Sequence, residues 1–149
     1  MRLRDLMTPA VITAGRDEAV AEVARIMRDR GVGSVVVTDG AGDPVGIVTD
    51  RDLALRVLAE RRDPAETRVG ACATSPVIIG EPEMELDEAA ALMVRHRIRR
   101  LPVTESGRLA GIITLDDIAV RTGNLEVAQR MTADVIAGAL PGFFFHERG

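Results

Sequence analysis

The sequence has few aromatic residues, a single cysteine and no long hydrophobic run. Aromatic residues make up 2% of the 149 positions, and tryptophan and tyrosine are absent, so the core must be built from aliphatic side chains and methionine. Cys72 has no partner for an intrachain disulfide, which favours a reducing compartment. No apolar segment is long enough for a signal peptide or a membrane span. We therefore expect a cytoplasmic protein without a membrane partner.

The charge balance argues against a further class of partner, the polyanions. Nineteen basic and 23 acidic residues give a net charge of -4, which argues against nonspecific binding to nucleic acid or to an anionic membrane. The sequence also contains no histidine-rich metal set, no Ser/His/Asp arrangement and no phosphate-cradling glycine-rich loop. Neither a nucleic-acid partner nor catalysis is expected.

The chain contains one pattern twice. Residues 20–38 resemble the residues found 66 positions later, so that Met27, for example, corresponds to Met93. After the next turn the offset falls to 65, and Gly46 corresponds to Gly111. One residue has been lost in a loop, where a change of length costs little.

Hydrophobic periodicity predicts the order β-α-β-β-α in both copies. In the first copy we expect a short helix, an extended segment, a helix, two strands and a helix, at residues 2–7, 10–13, 18–30, 33–38, 44–49 and 51–61. In the second we expect the same elements at residues 69–73, 77–79, 86–97, 100–104, 109–114 and 116–122. The predicted fold class is α/β, an α+β sandwich of two small sheets whose repeats are related by a pseudo-two-fold axis.

This organisation divides the chain into three parts. We predict a first repeat at 1–65, a second at 66–123, and a C-terminal helix with a phenylalanine-rich tail at 124–149. The helix is expected at Leu125–Ala139, and Phe143–Phe145 follow it. These phenylalanines would either pack on that helix or contact a second subunit.

A strand that leads directly into a helix occurs at the same place in both copies. The two stretches are Gly46–Asp52 and Gly111–Asp117, and both read Gly-x-x-Thr-x-x-Asp. The start of a helix presents free backbone N–H groups, which suit a phosphate. The motif could therefore bind a nucleotide, with the threonine hydroxyl near the phosphate, the aspartate on both ribose hydroxyls, and the glycine allowing close approach of a flat ring.

The same spacing is also that of a capping box, in which Thr and Asp bond each other's backbone N–H groups. For one isolated Thr-x-x-Asp, capping is the favoured interpretation, because the motif is short and common. Two copies in register, each preceded by a glycine, favour the ligand interpretation, because capping does not require that glycine.

These motifs together resemble a tandem pair of cystathionine-β-synthase (CBS) domains, the Bateman module. The resemblance covers about residues 5–122. It rests on Met7-Thr8-Pro9, Thr74-Ser75-Pro76, the stretch His96–Val103 and the two Gly-x-x-Thr-x-x-Asp motifs.

The resemblance implies binding of AMP, ADP, ATP or S-adenosylmethionine in two clefts between the copies. Asp52 and Asp117 would hold ribose hydroxyls, and Thr49 and Thr114 would face the phosphates. Adenine would lie against apolar residues that follow each proline, with Pro102 lining the second pocket. These apolar residues are Val11 and Ile12 in the first copy and Val77, Ile78 and Ile79 in the second.

The two copies differ in charge near the motif. Arg99 and Arg100 of the second copy stand where the first has glycine and serine, whereas Arg51 of the first stands where the second has Asp116. We predict that Arg51, Arg99 and Arg100 contact phosphate and that the two sites prefer different numbers of phosphates. The alternative is that these arginines lie on solvated faces.

The predicted function is therefore a stand-alone regulatory or sensory module, without catalysis and without a required cofactor. An adenine nucleotide or S-adenosylmethionine would shift a homodimer between arrangements and so act on an unknown regulated protein. The alternative is a structural or protein-interaction pair that binds no nucleotide. A third interpretation, an enzyme with a metal on Asp116 and Asp117, is disfavoured, because adjacent helical residues diverge by about 100°.

Overall fold

The computed structural model of the chain describes residues 1–122 together with residues 129 and 133. Mixed helices and strands confirm the predicted fold class. The elements are α1 (Leu3–Leu6), β1 (Thr13–Gly15), α2 (Val20–Arg30), β2 (Ser34–Thr38), β3 (Pro44–Thr49), α3 (Asp50–Leu53), a π-helix (Ala54–Leu58), a 3-10 helix (Val69–Ala71), α4 (Leu86–His96), β4 (Arg100–Glu105), β5 (Arg108–Thr114) and α5 (Leu115–Thr122). Apart from residues 129 and 133, the helix predicted at 125–139 lies outside the described residues, as does the tail Phe143–Phe145.

Two compact units make up the described part of the chain. The β1–β3 unit comprises residues 10–77 and 106–109, and the β4–β5 unit comprises residues 1–9, 78–105 and 110–122. These units do not follow the sequence repeats at their edges, because each takes in a segment that the sequence assigns to the other repeat.

The β1–β3 unit has a three-stranded sheet in the order β1-β2-β3. β1 pairs parallel with β2, with α2 as the crossover, and β2 pairs antiparallel with β3. The three central valines of β2 are all buried, as expected for a β-branched strand covered on both faces. The first copy thus contains the β-α-β-β order that its periodicity predicted.

The helix predicted at 51–61 is a composite. α3 contributes one turn at Asp50–Leu53, and a π-helix at Ala54–Leu58 continues it, with the Ala59 N–H donating to the Ala54 carbonyl at 2.8 Å. Periodicity predicted a helix here but not this change in its hydrogen bonding.

The β4–β5 unit has a two-stranded sheet, and the strand predicted at 77–79 does not form. Only Gly80 bridges β4: its N–H donates to the Pro102 carbonyl at 2.8 Å, and its carbonyl accepts from Thr104 at 3.0 Å. Pro76 and Pro82 bracket the segment, and neither can donate a ladder hydrogen bond. The second copy therefore retains a single bridge where the first has β1.

The exchanged segments supply core residues. Leu3 and Leu6 of α1 are buried in the apolar cluster of the β4–β5 unit, with α4, β4, β5 and α5. Val69 and Cys72 are buried in the cluster of the β1–β3 unit, with α2, β2 and β3. Each core is consequently completed by residues from the other sequence repeat. Within the described residues, no helix has both the length and the apolar character needed to cross a bilayer.

Candidate functional site

Both Gly-x-x-Thr-x-x-Asp motifs form reciprocal capping boxes. At the start of α3, the Thr49 N–H donates to Asp52 Oδ2 at 2.9 Å and the Asp52 N–H donates to Thr49 Oγ1 at 3.1 Å. At the start of α5, Thr114 and Asp117 make the same two bonds, both at 3.0 Å. The capping interpretation of the sequence is thus realised in both units.

These caps leave a donor and an acceptor at each motif. Each threonine hydroxyl accepts a backbone N–H and keeps its own hydrogen for donation, and each aspartate uses only Oδ2 in the box. Asp52 Oδ1 lies 3.9 Å from the Arg56 guanidinium, and the Asp52 side chain is 15% exposed. A ligand can therefore engage these groups while the cap remains intact, so capping and binding do not exclude each other.

The motif glycines are required for chain packing, which corrects the expectation that they admit a flat ring. A Cβ on Gly46 would lie 2.9 Å from the Thr74 carbonyl oxygen, and one on Gly111 would lie 2.7 Å from Met7 Sδ and 3.0 Å from the Thr8 carbonyl oxygen. The neighbouring backbones are also hydrogen-bonded, since Thr74 bridges Ile47 and Thr8 bridges Ile112. The glycines accommodate the Thr-Pro and Thr-Ser-Pro segments, whose backbones cross β5 and β3.

The structure brings three of the predicted phosphate contacts together in the β4–β5 unit. A surface pocket of about 240 Å³, which includes open solvent, is lined by Arg99, Arg100, Thr114, Leu115 and Asp116. The Leu115 N–H donates to the Arg99 carbonyl at 3.2 Å, and this bond joins the start of β4 to the start of α5. Two arginines and a threonine thus lie at one strand–helix junction, and residues of these types supply donors that suit an anion.

The corresponding junction of the β1–β3 unit carries different side chains. The Asp50 N–H donates to the Gly33 carbonyl at 3.0 Å, which repeats the backbone bond of the other unit. Asp50 Oδ1 accepts from the Arg51 N–H at 2.8 Å, and the Arg51 side chain is exposed. Sequence reasoning missed Asp50, although Thr-Asp-Arg-Asp contains two aspartates and only the second was assigned a role.

The predicted adenine contacts lie beside the strands. Val11 and Ile12 are half-buried just before β1, and the Ile12 carbonyl accepts from the Val36 N–H at 3.1 Å. Ile78 is half-buried against the core of the β4–β5 unit, and Pro102 is buried within β4. Their contact with a ligand stays a prediction.

No group of three or more His, Cys, Asp or Glu side chains within the described part of the chain is placed to hold a metal ion. The acidic residues before α4 make ion pairs instead. Glu83 accepts from the Arg4 Nε at 2.8 Å and also bonds Arg2, while Arg4 reaches Glu105 at 2.8 Å. This ion-pair cluster links the N-terminal segment of the β4–β5 unit to the residues before α4 and to the end of β4.

Comparisons with known proteins give one family. The CBS domain model matches residues 3–59 and 69–121. The CBS domain-containing protein YhcV of Bacillus subtilis is 37% identical over 126 residues, covering 85% of this chain and 89% of YhcV. The uncharacterized protein MK0525 of Methanopyrus kandleri is 42% identical over 109 residues, or 72% of this chain, which spans 56% of that relative's length.

Solved structures give the same result. The CBS domain protein PAE2072 from Pyrobaculum aerophilum, crystallised in complex with AMP, superposes with a TM-score of 0.73 at 28% identity, covering 87% of this chain and 99% of that one. The CBS domain pair of MJ0100, crystallised with 5′-methylthioadenosine and S-adenosylmethionine, has a TM-score of 0.73 at 26% identity, covering 84% and 98%.

Proposed function

Because this chain belongs to the CBS-domain family, we propose that it is a regulatory module that binds adenosine-containing ligands at its two Thr-Asp motifs. The observation that carries the proposal is the repeated capping box, which leaves a threonine hydroxyl and an aspartate oxygen available in both units. Two related proteins crystallised with AMP, or with 5′-methylthioadenosine and S-adenosylmethionine, supply the ligand class. The proposal assigns the chain no reaction of its own.

The available groups match the polar parts of a nucleoside. The second oxygens of Asp52 and Asp117 accept ribose hydroxyls, and the Thr49 and Thr114 hydroxyls donate toward the 5′ substituent. The apolar segments around Ile12 and Ile78 provide surface for adenine. Each motif draws its polar groups from a single unit.

Regulation would follow from differential affinity. A ligand that binds one conformation of the module more tightly shifts the population toward it, and a difference of about 1 to 3 kcal/mol gives a five- to 150-fold response. We propose that the working form is a homodimer. Leu58 and Val120, near the ends of the last helices of the two repeats, are 77% and 81% exposed, and such apolar groups favour a protein contact.

A ligand panel tests the proposal. Thermal unfolding of the purified chain is measured with AMP, ADP, ATP, S-adenosylmethionine or 5′-methylthioadenosine at millimolar concentration. A ligand at 100 times its dissociation constant stabilises the folded state by about 2.7 kcal/mol, and this raises Tm. Guanosine at the same concentration is the control for the base, and ribose 5-phosphate is the control for the sugar phosphate.

A second candidate function, a structural or protein-interaction CBS pair, is favoured because both helix caps are complete. Both capping boxes are complete with protein groups alone, as a purely structural CBS pair would require. If none of the five adenosine compounds raises Tm, this structural or protein-interaction function replaces the first.

A further inference from the structure

The two strand–helix junctions have the same backbone and different side chains. In each, the first residue of the helix donates its N–H to the carbonyl of the residue just before a neighbouring strand. Asp50 donates to Gly33 at 3.0 Å, and Leu115 donates to Arg99 at 3.2 Å. This equivalence identifies Gly33 with Arg99 and Asp50 with Leu115. The side chains at these two positions therefore decide what charge each junction presents to a ligand.

The junction of the β4–β5 unit is cationic. Arg99 and Arg100 line its pocket together with Thr114, and Asp116 is the one acidic residue among the five lining residues. Leu115, which takes the place of Asp50, is 2% exposed and belongs to the apolar core. No carboxylate thus stands at the first helical position of this unit.

The junction of the β1–β3 unit contains a carboxylate at that position. Asp50 Oδ1 accepts from the Arg51 N–H at 2.8 Å, so an amide that a phosphate would use is already bonded to an acid. Asp50 Oδ2 lies 3.2 Å from the point that a Cβ on residue 33 would occupy. Glycine at position 33 thus leaves room for the carboxylate over the start of β2, where the other unit places an arginine.

We infer that the two sites select ligands by charge: the β4–β5 unit binds an adenosine ligand with a 5′-phosphate, and the β1–β3 unit binds one without. Asp50 is the residue that determines this specificity, because its carboxylate lies where the other unit places an arginine, and a carboxylate close to a phosphate repels it. This inference rests on the proposed function and deepens it by assigning a ligand class to each unit.

Calorimetric titration of the intact chain tests the inference with AMP and with 5′-methylthioadenosine, which has an uncharged 5′ substituent. For the wild type we expect one strong AMP site, abolished by Asp117→Asn and unaffected by Asp52→Asn. Removing the carboxylate with Asp50→Asn should strengthen AMP binding to the β1–β3 unit roughly tenfold or more. Asparagine still accepts the Arg51 N–H, so the fold is retained.

The reciprocal variant removes the cations. Arg99→Gln with Arg100→Gln should weaken AMP binding in the β4–β5 unit roughly tenfold or more while leaving 5′-methylthioadenosine unchanged. Matched controls are Asp87→Asn, in the exposed first turn of α4, and Arg95→Gln with Arg108→Gln, which remove the same charges away from the junctions.

The outcomes separate the inference from the proposed function. Two AMP sites of equal affinity in the wild type, unchanged by Asp50→Asn, would overturn charge selection while leaving a nucleotide-binding module. Absence of binding by either ligand would overturn both. Gain of a second AMP site in Asp50→Asn, with no change in Asp87→Asn, would support the inference.

Discussion

At the scale of single residues, Gly111 illustrates how a motif position serves packing. A Cβ at this position would lie 2.7 Å from Met7 Sδ and 3.0 Å from the Thr8 carbonyl oxygen. The backbone contact cannot be relieved by a side-chain rotation, so Gly111→Ala should lower the free energy of unfolding by about 1 to 3 kcal/mol. Urea denaturation measures this change.

Two other glycines provide the comparison for that experiment. Gly46→Ala should be similarly destabilising, because its Cβ would approach the Thr74 carbonyl oxygen to 2.9 Å. A Cβ at Gly40 would have no heavy atom within 4 Å, so Gly40→Ala should leave stability unchanged or slightly raise it. Equal stability of the Gly40, Gly46 and Gly111 variants would contradict the packing role.

The threonine caps give a second prediction at this scale. Thr114→Ala removes the acceptor of the Asp117 N–H and should cost about 0.5 to 2 kcal/mol of stability, whereas Thr114→Ser keeps the acceptor and should cost less. Thermal unfolding without ligand distinguishes the two. If serine and alanine are equally destabilising, the hydroxyl does not cap α5.

The residues also show what a sequence reveals and what it conceals. The pairing of Thr49 with Asp52 was predictable, because a capping box joins residues three apart and its geometry is local. The role of Gly111 was not predictable, because the atoms that crowd it belong to Met7 and Thr8, far away along the chain. Asp50 was missed for the same reason, since its neighbour across the sheet is Gly33.

At the scale of elements, α1 contributes core residues to the β4–β5 unit. Leu3 is fully buried in the core of the β4–β5 unit, so Leu3→Ala should cost about 2 to 5 kcal/mol. Leu58→Ala, at a position that is 77% exposed, should change stability by less than about 0.5 kcal/mol in the monomer. Denaturation midpoints measured at low protein concentration provide the test.

The ion pairs of this segment make its attachment sensitive to acid. A hydrogen bond from Arg4, and a smaller contribution from the hydrogen bond from Arg2, lower the pKa of the Glu83 carboxyl below its ordinary value of 4.5. A group with a lowered folded pKa adds stability that is present above the unfolded pKa and is lost as the pH falls through the folded pKa. The effect is small, because all three side chains are about half exposed.

Glu83→Gln should therefore lower Tm near neutral pH, and the difference from the wild type should shrink as the pH falls below 4.5. Glu60→Gln, at an exposed position, is the matched control and should show no such trend. A Glu83→Gln difference that is independent of pH would show that the carboxylate charge does not hold this segment.

Periodicity predicted most elements of each repeat correctly, but the strand that it predicted at 77–79 does not form. The sequence predicted a strand at Pro44–Thr49, and the structure confirms it as β3. The segment at 77–79 is also apolar but forms no strand, and only Gly80 after it bridges β4, because the flanking prolines limit pairing. Local composition cannot reveal that dependence.

At the scale of the whole molecule, the exchanged segments should make folding cooperative. The core of each unit contains residues from the other repeat, Leu3 and Leu6 in one and Val69 and Cys72 in the other. Neither repeat expressed alone has all of its core, so fragments 1–65 and 66–123 should be unfolded, and the intact chain should unfold in one transition.

Circular dichroism and calorimetry of the two fragments and of the full chain test that prediction. An equimolar mixture of the fragments should regain helical signal, because each supplies the segment that the other lacks. Two separate transitions in the intact chain, or a stably folded fragment 1–65, would contradict mutual completion of the cores.

The most direct test of the central claim is calorimetric titration of the wild type, Asp52→Asn, Asp117→Asn and the double variant with AMP and with 5′-methylthioadenosine. Asparagine can still accept the threonine N–H, so these variants separate capping from ligand binding. We predict that Asp117→Asn loses AMP binding, that Asp52→Asn loses 5′-methylthioadenosine binding, and that the double variant, still folded, binds neither. A double variant that binds like the wild type would show that the Thr-Asp motifs are helix caps alone.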